Sequence, residues 1–169
     1  PHPQDINKEL LEVMQKYKNI CNYIHLPLQA GSNRILKRMN RTYTKEHFIE
    51  LALKIRDYLP GVGISTDIIV GFPGETDDDF EDTINVMNKV KFDSAYTFKY
   101  SPRKGTKATE YDDQIKESIK QDRLSKVIEL QKSHTLLRNK IYVGSIENIL
   151  IEKQSKRNKS MWTGGTDSN

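Results

Sequence analysis

At 169 residues with a 36% hydrophobic share, the chain suits one domain, or a domain with a small appendage, around a lean core. No stretch approaches the length of a membrane span and the first residues lack a signal-peptide pattern, so it reads as a soluble cytoplasmic protein with no membrane partner. The net charge of +4 and pI of about 9.0 are a mild bias toward anions, and the single cysteine, Cys21, excludes an internal disulfide and reads as a buried apolar residue before the first strand.

In chain order, Asp5 to Lys18 has the spacing of an amphipathic helix, with Ile6, Leu10, Val13, Met14 and Tyr17 on one side. A short strand follows from Tyr23 to Leu28. Ile24, Leu26 and Leu28 share one face, and His25 and Gln29 share the other. Pro27 lacks a ladder donor, so the regular strand ends about there and Gln29 sits on the loop rim. Gly31-Ser32 leads into a basic helix ending near Asn40. Thr44 caps the next helix, where Phe48, Leu51, Ile55 and Leu59 recur at helical spacing until Pro60-Gly61 stops it.

Gly63 to Val70 is the second strand, with Thr66, Ile68 and Val70 on one side and Ser65, Asp67 and Ile69 on the other. An acid there is costly unless paired or hydrated, which marks Asp67 as a candidate functional group. Gly71, Pro73 and Gly74 break the strand. Thr76 followed by Asp77, Asp78 and Asp79 reads as an N-cap with acids at the positive helix end. The Gly71 to Glu75 loop is a poor phosphate cradle, because no Lys-Ser/Thr follows it and three aspartates crowd the helix start. The helix from Asp77 to Lys89 buries Phe80, Ile84 and Met87, and Ser94 to Tyr100 is the third strand. Alternating strands and helices predict an α/β fold with right-handed parallel crossovers, whose ligands bind at the C-terminal strand ends.

After Asp112 the pattern changes. A long helix, about Ser118 to Tyr142, carries Ile119, Leu124, Val127, Ile128, Leu137 and Ile141. An apolar strand, Ile146 to Ile151, a basic turn from Lys153 to Lys159, and a second strand at Ser160 to Thr163 follow. Trp162 reads as core, as large aromatics on short strands usually are. Three parallel strands cannot close a barrel, so two unpaired edges and an uncovered inner face predict self-association or reduced stability.

The basic residues form three groups: Arg34, Lys37, Arg38 and Arg41; Lys99, Arg103, Lys104 and Lys107; and Lys153, Lys156, Arg157 and Lys159. Each alone reads as a solvated face, whereas two groups sharing a strand-end mouth would suit a polyanion such as RNA. His25 reads as a hydrogen-bonded core histidine, since one histidine makes no metal site; His2, His47 and His134 read as lacking partners.

The stretches His25 to Arg41, Asp67-Ile-Ile-Val-Gly-Phe-Pro-Gly-Glu75 and Tyr100-Ser-Pro-Arg-Lys-Gly-Thr106 together resemble the second half of the radical S-adenosylmethionine domain of bacterial methylthiotransferases. The likeness is nearest to the branch that adds a methylthio group to N6-isopentenyladenosine beside the tRNA anticodon. It implies a partial (β/α) barrel over residues 1–143 and the opening strands of a small RNA-binding β-barrel, called TRAM, over residues 144–169. Gly164-Gly-Thr-Asp-Ser-Asn169 is similar to the tRNA enzymes' Gly-Arg-Thr-x-x-Asn, with Gly165 replacing an arginine and so removing a phosphate contact.

The resemblance implies S-adenosylmethionine as cofactor and tRNA as partner. Gln29 matches a residue that bonds the cofactor's ribose and Asp67 a ribose-hydroxyl acceptor, while Ile69, Val70 and Gly71 shape the adenine pocket. Arg41 matches a partner of the methionine carboxylate, a task suited to a planar, bidentate guanidinium. Judged alone, Gln29 reads equally as a cap of the next helix and Arg41 as an ion-pair partner of Glu46. Arg103 and Lys104 at the mouth, and Lys153, Lys156, Arg157 and Lys159 in the tail, become RNA contacts. The family also carries two [4Fe-4S] clusters on sets of cysteines. One cysteine cannot bind either, so the chain reads as a fragment, inactive alone. A noncatalytic RNA-binding module on the same scaffold, or a methylthiotransferase for another tRNA adenosine or a ribosomal protein, stays open as an alternative.

Overall fold

The computed structural model describes residues 2–168, so Pro1 and Asn169, the last residue of the Gly164 motif, lie outside the described residues. Helix α1 (Lys8–Lys16) precedes strand β1 (Tyr23–His25), and α2 (Asn33–Arg38) and α3 (Lys45–Tyr58) lead to β2 (Gly63–Val70). Helix α4 (Asp77–Val90), β3 (Ser94–Lys99) and the long α5 (Glu117–Asn139) follow, then a hairpin of β4 (Leu150–Gln154) and β5 (Trp162–Gly165). The first three strands form a parallel sheet in the order β1-β2-β3, with Tyr23 beside Gly63 and Asp67 beside Tyr96. The α/β class and parallel crossovers thus stand.

Helix starts follow the sequence closely. Asn7, Ser32 and Thr44 each accept a backbone N–H at the first turn of α1, α2 and α3. Thr76 and Asp79 form a reciprocal capping box on α4. The helices cover one face of the sheet, where Ile24, Leu26, Ile64, Ile68 and Val70 are buried with Phe48, Ile55, Met87 and Phe92. Burying side chains of this size stabilises by about 1.5–3 kcal/mol each before entropy is counted. The opposite face carries Tyr96 and Phe98, 58% and 52% exposed, in line with Asp67 and Ile69.

Several expectations need correction. Helix α1 starts at Lys8, after a 3-10 turn at Pro3–Asp5, and turns Leu11 inward, while Leu10, Val13 and Tyr17 are exposed. Its apolar residues span more arc than its packing on α3 can cover. Cys21 is exposed, because it lies in the turn before β1 and not on a packed face. Regular pairing of β1 stops at His25, two residues before Pro27, and resumes as a single bridge between Gln29 and Ile68. His134 is buried and bonded to Asn88 across the α4/α5 contact (3.2 Å), and His2 caps the first turn by accepting from the Gln4 N–H.

The tail differs in register. The long helix passes into a 3-10 turn at Lys140–Tyr142, and Ile146 is fully exposed before β4 begins at Leu150. Trp162 is 66% exposed, not core, because two antiparallel strands have no second layer to pack on among the described residues.

Candidate cofactor cleft

A cleft of about 940 Å³ opens at the C-terminal ends of the sheet. Its floor is built by the chain after β1. Gln29 takes a left-handed conformation (φ 66°), and β2 clamps it on both sides: its N–H donates to the Asp67 carbonyl, and its own carbonyl accepts from the Ile69 N–H, each at 2.8 Å. A non-glycine residue in this conformation is uncommon and persists where surrounding bonds over-determine it. Further bonds hold the same turn. The Leu28 N–H reaches Thr66 Oγ1 at 2.9 Å, and the buried Tyr43 hydroxyl donates to the Pro27 and Leu28 carbonyls at 3.1 and 3.0 Å. Burial pushes the Tyr43 phenol up to about 12.

Four of the six residues assigned to the cofactor meet here: Gln29, Arg41, Asp67 and Ile69 all line the cleft. Arg41 enters from the end of α2, where Asn40 (φ 56°) turns the chain and the Arg41 N–H closes on the Leu36 carbonyl at 2.8 Å. Its Nε is buried with no protein partner. The alternative pairing with Glu46 is not formed; Glu46 accepts instead from the Asn33 side chain at 2.8 Å. Nor does Gln29 cap α2, since Ser32 does so. The other two residues turn away: the Val70 side chain is buried in the helix-side core, and Gly71 (φ 71°) faces Lys120, whose side chain a Cβ would strike.

The outer half of the cleft is aromatic and basic. Phe72 meets Tyr100 and Tyr111 edge-on, with centroids 5.2 and 6.4 Å apart. Arg103, Lys107, Lys37 and Arg38 stand around them, and Asp67 is the one acid among the lining residues. The first two basic groups therefore share the mouth in part. Arg34 does not join them, because it pairs with Asp79 and reaches the Gly74 carbonyl. Arg38 is tied to Asp113 at 2.8 Å and stacks on Tyr111 at 4.5 Å. Lys104 lies on the loop beyond the cleft lining, and Lys153, Lys156, Arg157 and Lys159 sit exposed on the separate hairpin.

Sequence reasoning missed the clasp that shapes the loop under the cleft. Glu75, almost fully buried, accepts from the Gly71 N–H and from Arg123 of α5, both at 2.7 Å. Burial pushes the Glu75 carboxyl up, against the opposing pull of the Gly71 amide and Arg123. Asp79, despite a burial penalty in the same sense, is held well below the usual carboxylate range by Arg34, Ser32 and Thr76. At the start of α4 the Thr76 and Asp79 amides are taken up within the capping box. No local pattern could have revealed Arg123, which lies 48 residues from Glu75.

Comparison with known proteins places this geometry in a family. A family model for the radical SAM superfamily matches residues 2–87, half of the chain. The chain is 49% identical over 98% of its length to the tRNA-2-methylthio-N(6)-dimethylallyladenosine synthase of Finegoldia magna and 49% identical over all of it to that of Fusobacterium nucleatum. It spans only 36% and 39% of those proteins. Among solved structures, coproporphyrinogen III oxidase from Escherichia coli, itself a radical SAM enzyme, superposes with a TM-score of 0.64 at 20% identity, over 79% of this chain and 31% of the other. At that identity the likeness speaks for the fold alone. From the matched half, and from the parallel sheet that carries it, the chain belongs to the radical SAM superfamily.

Proposed function

We propose that this chain is the cofactor- and substrate-facing part of a tRNA methylthiotransferase that modifies C2 of N6-isopentenyladenosine beside the anticodon. In this reading residues 1–143 are the second half of a radical SAM barrel and residues 144–169 open a TRAM-like domain. The observation that carries it is the convergence of Gln29, Arg41 and Asp67 on one cleft at the C-terminal strand ends, in a chain 49% identical to such synthases along almost its whole length.

The cleft residues fit S-adenosylmethionine. Arg41 has a buried, unpartnered Nε and a planar guanidinium suited to the methionine carboxylate. Asp67 offers a carboxylate to two vicinal ribose hydroxyls, as acids do in dinucleotide sites, and the Gln29 amide adds a bond to the same sugar. Ile69 gives the adenine an apolar wall. When bound, the cofactor supplies the radical chemistry; this chain's residues bind it, orient it and keep water from it. An iron-sulfur cluster does not fit these residues. The chain has one cysteine, exposed, and the described residues hold no group of three or more metal-ligating side chains.

The substrate side follows from charge. In this reading Arg103 at the mouth, Lys104 on the loop beyond it, and Lys153, Lys156, Arg157 and Lys159 on the hairpin contact tRNA phosphates, and the protein works in the cytoplasm with its substrate. Among the described residues no helix is long and apolar enough to cross a membrane. Mass spectrometry of tRNA nucleosides from cells lacking the protein tests the reading. Loss of the 2-methylthio group with N6-isopentenyladenosine retained is expected; an unchanged 2-methylthio pool would refute it.

A further inference from the structure

Beneath the cleft, the inner face of the sheet carries polar groups to which no role above has been given. His25 of β1 stands in register with Ser65 of β2, and its ring bridges Ser65 and Asp67. Its Nδ1 lies 2.8 Å from Ser65 Oγ and its Nε2 3.2 Å from Asp67 Oδ2. Tyr96 of β3 stands edge-on to the same ring at 6.0 Å. Ser65 is fully buried, and His25 is not among the residues lining the cleft.

Between the two neutral tautomers of His25, the proton count selects one. A serine hydroxyl has one proton to give and a carboxylate can only accept. With the proton on Nε2, Ser65 donates to Nδ1 and His25 donates to Asp67, and all three groups are satisfied. The other neutral tautomer would aim a lone pair at the carboxylate.

Among the described residues His25 is the only side chain bonded to that carboxylate, and the terminal torsion of an aspartate is broad and weakly held on its own. His25 therefore fixes Oδ2 and leaves both lone pairs of Oδ1 free to accept, on a residue that does line the cleft. We infer that His25 is a positioning residue, which locks the Asp67 carboxylate in the orientation that receives two vicinal ribose hydroxyls. This rests on the reading of Asp67 as the ribose acceptor and assigns the group that makes it work. The Ser65 hydroxyl serves one step further back, by holding the tautomer.

The test uses the cluster-bearing protein that contains this chain and two ligands, S-adenosylmethionine and its 2′,3′-dideoxy analogue, with binding measured by titration calorimetry. The wild type is expected to favour the hydroxylated ligand by about 100-fold, the scale of bonds to a charged acceptor. Asp67→Asn should reduce that ratio to a few-fold, the share that the Gln29 amide still supplies. His25→Leu should reduce it to about tenfold or less, while binding of the dideoxy analogue stays within about twofold. His25→Gln, which keeps an N–H donor, should recover part of the ratio. In long-range ¹H–¹⁵N spectra of the wild type, the His25 proton should reside on Nε2, a signature that a merely space-filling ring would not require.

If Asp67→Asn lowers the ratio to a few-fold while His25→Leu keeps it at the wild-type value, the ribose reading stands and the positioning role is wrong. A His25 Nε2 that carries no proton overturns the role equally. If the wild type binds neither ligand, or both alike, the ribose reading itself fails and the role of His25 falls with it.

Discussion

Replacing Arg123 with leucine tests how the loop below the cleft is held. Arg123 is buried and gives Glu75 two hydrogen bonds, one to the carboxylate at 2.7 Å and one to the carbonyl at 3.0 Å; a third goes to Asp77, whose side chain is almost fully exposed. The Asp77 bond is screened by water and contributes little. Without Arg123, Glu75 keeps only the Gly71 N–H as donor, and a buried carboxylate so stranded takes up a proton instead. From the ordinary value of 4.5, protonating it at pH 7 costs about 3 kcal/mol at 1.36 kcal/mol per unit. That agrees with the roughly 3–5 kcal/mol lost when one partner of a buried pair is removed.

The sign with pH follows. In the variant the folded-state carboxyl titrates higher than the unfolded one, so its stability is full below the unfolded value and falls as pH rises through the folded value. Because burial already raises the wild-type carboxyl, the deficit against wild type should be at most about 3 kcal/mol at pH 7, a drop in Tm of up to roughly 6–12 °C for a chain of this size, and smaller at pH 5. Glu75→Gln combined with Arg123→Leu should cost less than Arg123→Leu alone, because no charge is stranded. Thermal and urea unfolding followed by circular dichroism at both pH values measures this. A loss below about 1 kcal/mol at pH 7, or one equal at pH 5 and pH 7, would refute the clasp.

Tyr43→Phe removes the hydroxyl that holds the Pro27 and Leu28 carbonyls, and should lower stability by about 1–2 kcal/mol in urea unfolding and weaken cofactor binding through Gln29. In wild type the Tyr43 phenol, raised to about 12, should stay un-ionised in ultraviolet titration to pH 11, with the fold losing stability as pH climbs through that value. The depressed Asp79 carboxyl works in the opposite sense: its contribution is present above the ordinary aspartate range and is lost as pH falls below about 4, so Asp79→Asn should be destabilised by about 1–3 kcal/mol at pH 7 and by less in acid unfolding curves. Alanine at Lys153, Lys156, Arg157 and Lys159 together should weaken tRNA binding and flatten its salt slope by up to about 3, with cofactor affinity unchanged in filter-binding and titration assays.

Local rules carried the sequence reading where local physics decides. Alternation along Gly63 to Val70 separated Asp67 and Ile69 from the core residues Ile68 and Val70, and Thr76 with the acids after it marked the N-cap of α4. What stayed hidden depends on partners distant in sequence. The helix-side burial of Val70 was readable from that alternation, yet the positive φ of Gln29 comes from bonds to β2, and the capture of Arg34 by Asp79 and of Arg38 by Asp113 needs α4 and the segment before α5 in place. Leu11 and Leu10 exchange burial because an amphipathic face says which residues are apolar, not which part of a wide arc its neighbour covers. The exposure of Trp162 and the start of β4 at Leu150 reflect a hairpin without a facing layer, where no buried face sets the register.

The most direct measurement of the central claim is a crystal structure of the cluster-bearing protein with S-adenosylmethionine bound. The account predicts the ribose hydroxyls against Asp67 and Gln29, the methionine carboxylate against Arg41, and the adenine beside Ile69. Cofactor density away from Asp67, or a methionine carboxylate with no contact to Arg41, would contradict it.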